Sequence, residues 1–310
     1  MRRRGLIFSI LFWITVVLTP ACCLAADPGA GQPSAGQPGG EQSATDIQKK
    51  LSNPVTDLWF LQFQQNNFVT NALPGLGDKW SSNLNFQPML PISLTRDWNL
   101  ITRPVITLFN SAPVPATGID PVTHQPSLGI QNTTAFGDTT IMSMIAPGPS
   151  LVGNWIMGAG PSFIFPTASS DFTGQGNWQL GPAVVFGYFS DKFVVGAFAQ
   201  NWTSYARESG RSETNWMNLQ PILSFFLPHG WSVGYSGNIL ADWKADGANM
   251  WTVPVGLGVS KVVFLGRLPI RLGVAGQYMP IHPDEFGQKW NVQANLTIVI
   301  PKLIKGNIFE

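Results

Sequence analysis

Charged residues are scarce in this chain, and neither sign dominates. Asp, Glu, Lys and Arg make up 11% of the 310 residues, with 18 Lys plus Arg against 17 Asp plus Glu. An ordinary soluble domain carries about 25% charged residues. A protein that binds nucleic acid needs a basic excess to neutralise phosphates. The composition therefore argues against both classes, and we expect no nucleic-acid partner.

Thiols, histidines and long apolar runs are also few. The only cysteines are Cys22 and Cys23, and the three histidines, His124, His229 and His282, form neither an HxH nor an HExxH spacing. That pattern argues against a zinc site, and we expect no metal and no cofactor. No apolar run of about 18 residues follows the first twenty, which argues against membrane-spanning helices.

The N-terminus has the pattern of an export signal. Three arginines, Arg2–Arg4, precede an apolar stretch from Leu6 to Leu18, and small residues follow near Ala25. The stretch is too short to span a bilayer of about 30 Å, so residues 1–26 are predicted to be a cleaved signal peptide. Acylation at Cys22 is an alternative that the preceding residues fit poorly.

The remainder divides into a tail and one domain. Residues 27–45 are rich in Gly, Pro, Gln and Ser and cannot bury enough apolar surface to fold. We therefore predict a flexible periplasmic tail over 27–53, in which residues 46–51 (DIQKKL) can form a turn of helix. No second linker follows, so residues 54–310 are predicted to form a single domain.

Side chains in that domain alternate between apolar and polar over unusually long runs. The clearest examples are Ser82–Leu94, Asn215–Leu227 and Lys289–Ile300. Such alternation indicates strands with two different faces, and the length suits transmembrane strands of about 9–11 residues with extensions. About twelve such runs occur: 57–70, 81–94, 97–110, 135–147, 153–168, 176–189, 191–206, 214–227, 230–244, 249–262, 267–281 and 288–301.

The connections alternate between short and long, as in a bacterial outer-membrane barrel. Trp98, Trp155 and Trp231 begin strands after short turns, while tryptophans 178, 216, 251 and 290 begin strands after long loops. This placement predicts two interfacial aromatic girdles. The fold class is therefore predicted to be all-β, an antiparallel transmembrane barrel of about 12 strands in the outer membrane of a Gram-negative bacterium, with both termini periplasmic.

Prolines fall within several predicted strands, where proline removes a ladder hydrogen bond. Folding the hairpins about their loops sets Pro88 opposite Pro104 and Pro161 opposite Pro182. These pairs predict local bulges that bend the strands. The alternative is that they open seams in the barrel wall through which an apolar solute leaves sideways.

Seven stretches, in a fixed order and spacing, resemble one known family. They are LSNPVTDLWFLQFQQNN (51–67), NFQPMLPISLTRDWNLITRPVI (85–106), AFGDTTI (135–141), WIMGAGPSFIFPTAS (155–169), GNWQLGPAVV (176–185), NLQPILSF (218–225) and WTVPVGLGVSK (251–261). On these stretches the chain resembles the outer-membrane family named for the meta-pathway of phenol degradation. Its relatives are described simply as transporters, or are mislabelled neuromedin U. The resemblance implies a barrel that passes small, aromatic or hydrophobic compounds.

The resemblance also bears on the C-terminus. The aromatic residue that usually ends a barrel-insertion signal is penultimate here, at Phe309. Either Phe309 serves with one extra residue after it, or the signal lies at the end of the last strand, near Ile300. The expected partners are accordingly outer-membrane lipids, a small-molecule solute and the barrel-insertion machinery.

Alternation directs several polar residues into the barrel, since a charge facing lipid at mid-depth costs about 2–4 kcal/mol. They either select solutes at a constriction or fill and stiffen a narrow lumen. The pore-lining candidates are Arg103, Arg271, Lys261, Lys289, Asp138, Asp242, Gln87 and Gln220.

The sequence thus predicts a passive outer-membrane channel for a small solute, without enzymatic activity. Two other classes stay open. One is a structural barrel whose lumen is plugged. The other is a lipid-modifying enzyme that uses His282 with Asp284 and Glu285 and a serine such as Ser204 or Ser212.

Overall fold

A computed structural model describes residues 43–71, 77–119, 125–284, 286–304 and 306–309. The predicted signal peptide, Cys22, the tail up to residue 42, His124 and Glu285 lie outside these ranges. Two α-helices, α1 (Ala44–Ser52) and α2 (Pro149–Val152), and a 3₁₀ turn at Pro228–Gly230 accompany the strands. No helix within the described ranges is long and apolar enough to cross a membrane.

Fourteen strand segments form one antiparallel sheet. They are β1 (Trp59–Thr70), β2 (Lys79–Ser93), β3 (Trp98–Ile119), β4 (Pro126–Phe136), β5 (Thr139–Pro147), β6 (Trp155–Phe165), β7 (Asn177–Phe189), β8 (Phe193–Arg207), β9 (Asn215–Phe226), β10 (Trp231–Tyr235), β11 (Ile239–Asp242), β12 (Trp251–Leu265), β13 (Leu268–Ile281) and β14 (Gln288–Ile300).

The sheet closes into a barrel of 12 strands, as the alternation predicts. β1 pairs with β14 from Trp59 opposite Ile300 to Val69 opposite Trp290, which removes both sheet edges. The segment count exceeds twelve because two strands are interrupted. β4 and β5 both pair with β3 and are separated at Gly137 and Asp138, while β10 and β11 both pair with β9 and β12.

The outer face of the barrel is apolar and exposed. Mid-strand residues such as Val184, Val255 and Val274 are 47%, 65% and 64% exposed, whereas alternate residues such as Ala183 and Val185 are buried. Exposed tryptophans stand at both ends of this band: residues 98, 155 and 231 at the short turns, and residues 80, 178, 243 and 290 at the long loops. A closed barrel with this outer surface belongs to the outer membrane of a Gram-negative bacterium.

The loop predicted between residues 111 and 134 is partly sheet. β3 and β4 continue as a paired hairpin from Leu108 opposite Phe136 to Ile119 opposite Pro126.

At the opposite end of the barrel, the chain after β14 returns to the turn between β2 and β3. There Ile308 N and Phe309 N donate to the carbonyl oxygens of Ser93 and Leu94. A role of Phe309 in barrel insertion stays a prediction.

Candidate functional site: the lumen and an interruption in its wall

Helix α1 lies inside the barrel at the short-turn end. Ser43 caps it by accepting a hydrogen bond from Asp46 N, and basic residues occupy its last turn. Its Ile47 and Leu51 are buried in one cluster with Phe60 and Met89. Four barrel residues complete that cluster: Ile101, Ala146, Val262 and Val299. The predicted turn of helix at 46–51 is therefore longer and has an apolar face that the barrel buries.

Polar contacts hold α1 against the wall. Gln48 Nε2 donates to the hydroxyls of Ser232 (2.8 Å) and Ser260 (3.1 Å), which contact each other at 2.9 Å. Arg271 Nη1 donates to the Leu51 carbonyl oxygen at 3.1 Å. Lys49 reaches Asp191 of a short turn at 3.1 Å. The helix thus forms a floor across the short-turn end of the lumen.

Above α1 a cavity of about 580 Å³ remains, which we call the lumen cavity. Its wall is lined largely by amides at alternate strand positions: Gln62, Gln64, Asn66, Asn83, Asn85, Gln87, Gln200, Asn218, Gln220, Gln277, Asn291, Gln293 and Asn295. These positions face inward because lipid requires the intervening ones to be apolar. The size falls within the range of about 300–1,000 Å³ typical of small-molecule sites.

Asn66 is the centre of this amide lining. Its Oδ1 accepts from Gln293 Nε2 (3.0 Å), Gln64 Nε2 (3.2 Å) and Asn291 Nδ2 (3.3 Å), and its Nδ2 donates to Asn83 Oδ1 at 2.7 Å. These side-chain N–H groups already donate to neighbouring amide oxygens. The hydrogen bonds hold the amides in place, so they form a neutral surface of fixed geometry.

The pairing between β9 and the β10–β11 strand is interrupted at mid-strand. β10 pairs with Ser224–Phe226 of β9 and β11 pairs with Trp216–Leu219, so residues 220–223 and 235–238 have no partners in this ladder. We call this interruption the wall gap. The lumen cavity reaches Pro221, Leu223 and Tyr235 there, although alternation turns these side chains away from the lumen.

Proline and glycine explain why the wall gap forms. Pro221 lies on one side of it and Pro254 of β12 on the other, and neither has an N–H to donate. Gly237 between them has φ 151°, and a Cβ there would overlap the Pro254 ring. Tyr235 Oη donates to the Pro254 carbonyl oxygen at 2.8 Å. The strand therefore stops pairing and resumes at Ile239.

The proline pairs predicted from the hairpins behave differently from each other. Pro88 and Pro104 lie in an interruption of the β2–β3 ladder, which pairs Phe86 with Ile106 and resumes at Leu90 with Thr102. Pro161 and Pro182 are direct register partners in a continuous β6–β7 ladder. The Pro161–Pro182 pair is thus not a seam. The wall gap, which folding the hairpins about their loops does not predict, leaves a longer run of residues unpaired than the interruption between β2 and β3 does.

Four of the eight pore-lining candidates lie at the lumen cavity: Arg103, Arg271, Gln87 and Gln220. The structure places Lys261 on the outer face, with Nζ 4.9 Å from the centre of the Trp231 ring. Its inward assignment is wrong because a lysine near a strand end can extend its ammonium group to the membrane interface.

The other three candidates lie at the long-loop end. Lys289 Nζ contacts Asp78 at 2.7 Å. The Asp138 carboxylate sits between β4 and β5 and accepts from Ala168 N and Gln175 N, so it orders a loop. Asp242 lines a second cavity at that end, which shares Trp216, Leu240 and Thr252 with the lumen cavity.

Two tryptophans line the lumen, the buried Trp202 and the half-buried Trp216. The sequence predicts Trp216 in a girdle, but its ring lies tilted against that of Trp202, with ring centres 4.7 Å apart, and its Nε1 donates to Gln179. Trp202 Nε1 donates to Ser162, which also accepts from Gln200. Trp202 and Trp216 are direct register partners, and both indole N–H groups donate to buried polar side chains, whereas a girdle tryptophan faces headgroups.

The residues considered for an enzyme do not meet within the described part of the chain. His282 Nδ1 lies 2.9 Å from the Pro283 carbonyl oxygen. The Ser204 hydroxyl accepts from Thr214 N, and the carbonyl oxygen of Ser212 accepts from Asn177. None of these contacts pairs a serine hydroxyl with the imidazole, so the enzyme hypothesis gains no support from them.

The fold is similar to that of known outer-membrane channels. An outer-membrane channel from Pseudomonas putida F1 superposes with a TM-score of 0.53 at 12% identity, over 78% of this chain and 96% of that one. The monoaromatic hydrocarbon channel CymD gives 0.36 at 10% identity, over 81% and 92%. A FadL homologue from Pseudomonas aeruginosa gives 0.34 at 10%, over 80% and 91%. The first likeness supports the fold, and the other two scores are too low to support an argument.

No family model matches the sequence, and no curated protein matches it. The resemblance to the phenol-degradation family therefore stays a prediction. What the structure establishes is the class, a twelve-stranded outer-membrane β-barrel with a lumen cavity.

Proposed function

We propose that this barrel is a passive channel for small apolar or amphipathic solutes, which enter from the long-loop end and leave through the wall gap. The observation that carries the proposal is the shape of the lumen cavity. Helix α1 closes the floor beneath it, while the cavity extends to Pro221, Leu223 and Tyr235 at the gap. A solute in the lumen therefore has a sideways route toward lipid.

The surface of this route suits a solute with an apolar body. The cavity reaches Leu223 and Tyr235 at the gap, and its lining also includes the outer-face residues Val259 and Val274. Leaving water for lipid lowers the free energy of an apolar solute by about 25 cal/mol per Å² of its surface. The gradient of solute between the outside and the membrane then drives transport without a cofactor.

Entry of an apolar dye into cells tests the proposal. A Gram-negative host that expresses the chain is mixed with N-phenyl-1-naphthylamine, which fluoresces once it reaches membrane interiors. We expect faster dye entry than in host cells without the chain. An Asn238→Trp variant, which places an indole in the wall gap, should slow entry several-fold. A Val184→Trp variant adds the same indole to the lipid face of β7 and should leave entry unchanged.

The occlusion by α1 favours a second candidate, a structural barrel with a plugged lumen. That candidate predicts dye entry no faster than in control cells, with the barrel folded and inserted in the outer membrane. Equal entry in the wild-type and Asn238→Trp cells would contradict exit through the wall gap.

A further inference from the structure

The charged side chains of the lumen cavity are all of one sign. Arg103 and Arg271 line it, and within the described ranges no Asp or Glu does. Carboxylates elsewhere in the described chain bind cations at the rims, as in the pairs Asp78–Lys289, Asp171–Arg211 and Asp191–Lys49. The lumen therefore holds two guanidinium groups that no described carboxylate neutralises.

Arg103 has free hydrogen-bonding capacity. β3 directs it inward, opposite Met142 of β5. Its Nε is buried and has no hydrogen-bond partner, and its guanidinium carbon lies over the Phe198 ring, 5.2 Å from the centre. A guanidinium carries five N–H donors in a planar fork, and leaving buried donors without acceptors is unfavourable. An anion that entered the cavity would supply those acceptors.

Arg271 adds a second positive charge at the floor of the cavity. Only Nη1 has a described hydrogen bond, to the Leu51 carbonyl oxygen. A carbonyl oxygen satisfies a donor without neutralising the charge. Arg271 thus contributes to a positive potential inside the barrel, where electrostatic interactions are stronger than in bulk water.

The cavity that Arg103 lines also has apolar lining residues. They are Met89, Val105, Val194, Ile222 and Phe198, whose ring lies against the Arg103 guanidinium. Such a site complements a ligand that has a negative head and a small hydrophobic body. Arginine matches a carboxylate through two parallel N–H···O bonds, which gives the head its orientation.

We propose that the lumen cavity is a binding site for small amphipathic carboxylates. The carboxylate accepts hydrogen bonds from Arg103, Arg271 adds attraction, and the apolar body packs against Met89, Val105 and Ile222. The proposal rests on the proposed function, because it names the class of solute that the channel takes.

Calorimetric titration of the full chain in a non-ionic detergent, at about pH 7 where benzoate is ionised, tests the site. Benzoate should bind about tenfold or more tightly than its neutral isostere benzamide. An Arg103→Gln variant should lose about tenfold in benzoate affinity and retain its benzamide affinity, while Arg103→Lys should lose less. An Arg267→Gln variant removes the same charge from an exposed turn and should bind as the wild type does.

Three results would overturn the site: equal or undetectable binding of both ligands, benzoate affinity that Arg103→Gln leaves unchanged, or inorganic phosphate binding as tightly as benzoate. Retained heat-modifiable mobility on electrophoresis shows that each variant is folded.

Dye entry in the same variants separates the two proposals. Dye entry without a carboxylate preference overturns the anion site alone, whereas absent dye entry overturns the channel.

Discussion

At the residue scale, Gly181 marks a very close approach of two neighbouring strands. A Cβ built there would overlap the backbone carbonyl oxygen of Asn201 on β8, which no rotamer change relieves. We expect Gly181→Ala to destabilise the barrel by about 1–3 kcal/mol, because the backbones must move apart. Urea unfolding in phospholipid vesicles measures this change.

Gly276 is the matched control for that substitution. It lies within β13, and a Cβ there would meet nothing within 4 Å. Gly276→Ala should therefore change stability by no more than about 0.5 kcal/mol. Equal destabilisation of the two variants would show that the β7–β8 approach is not the cause.

Lys261 and Arg271 show how far alternation determines the position of single residues. Lys261 of β12 pairs with Leu272 of β13, and Arg271 of β13 pairs with Val262 of β12. The two basic residues therefore lie in neighbouring pairs, but on opposite faces of the wall. Alternation predicts the direction of Arg271, because a guanidinium cannot face lipid cheaply at that depth. It does not predict the outward direction of Lys261, since the ammonium group of a lysine near the end of a strand can reach the headgroup region.

At the scale of elements, α1 determines whether the lumen is continuous. Leu51 is 6% exposed and packs among barrel side chains. A lysine there would lie beside the Arg271 guanidinium, which contacts the Leu51 carbonyl oxygen. A second positive charge is expensive to bury at that position, so Leu51→Lys should release the helix from the lumen. We expect a several-fold larger single-channel conductance in planar bilayers than for the wild type.

Lys50→Gln changes a neighbouring residue outside the buried face and should leave the conductance as it is. A Leu51→Lys channel that conducts no better than the wild type would contradict the assignment of α1 as the barrier.

The strands were predictable to within a few residues, whereas two features of the lumen were not. Lipid outside and water or protein inside impose a period of two on every strand, so each strand is readable alone. Helix α1 has only Ile47 and Leu51 as large buried apolar residues, and both require the barrel to bury them. The wall gap depends on Pro221 of β9 and on Gly237 packing against Pro254 of β12, a combination that no local pattern contains.

At the scale of the whole molecule, the proposed path combines the outer face, the floor and the wall gap. The outer face is apolar, so the barrel sits in lipid, and the proposed exit at the wall gap faces that lipid. Helix α1 lies across the floor, so the proposed route does not continue straight through the described lumen. The proposed transport therefore requires that the wall between β9 and the β10–β11 strand be open.

Reversible closure of the wall gap tests that requirement most directly. The described residues contain no cysteine, so a Leu223→Cys/Tyr235→Cys variant carries one thiol on each side of the gap. Oxidation joins the thiols, or a bis-methanethiosulfonate reagent does so if they are too far apart. The control, Phe225→Cys/Val233→Cys, joins positions that β9 and β10 already pair.

Entry of N-phenyl-1-naphthylamine is then followed before cross-linking, after it and after reduction. If solutes leave through the wall gap, cross-linking across the gap stops dye entry, reduction restores it, and the control variant admits dye throughout. Undiminished dye entry through a fully cross-linked gap would show that solutes do not leave there.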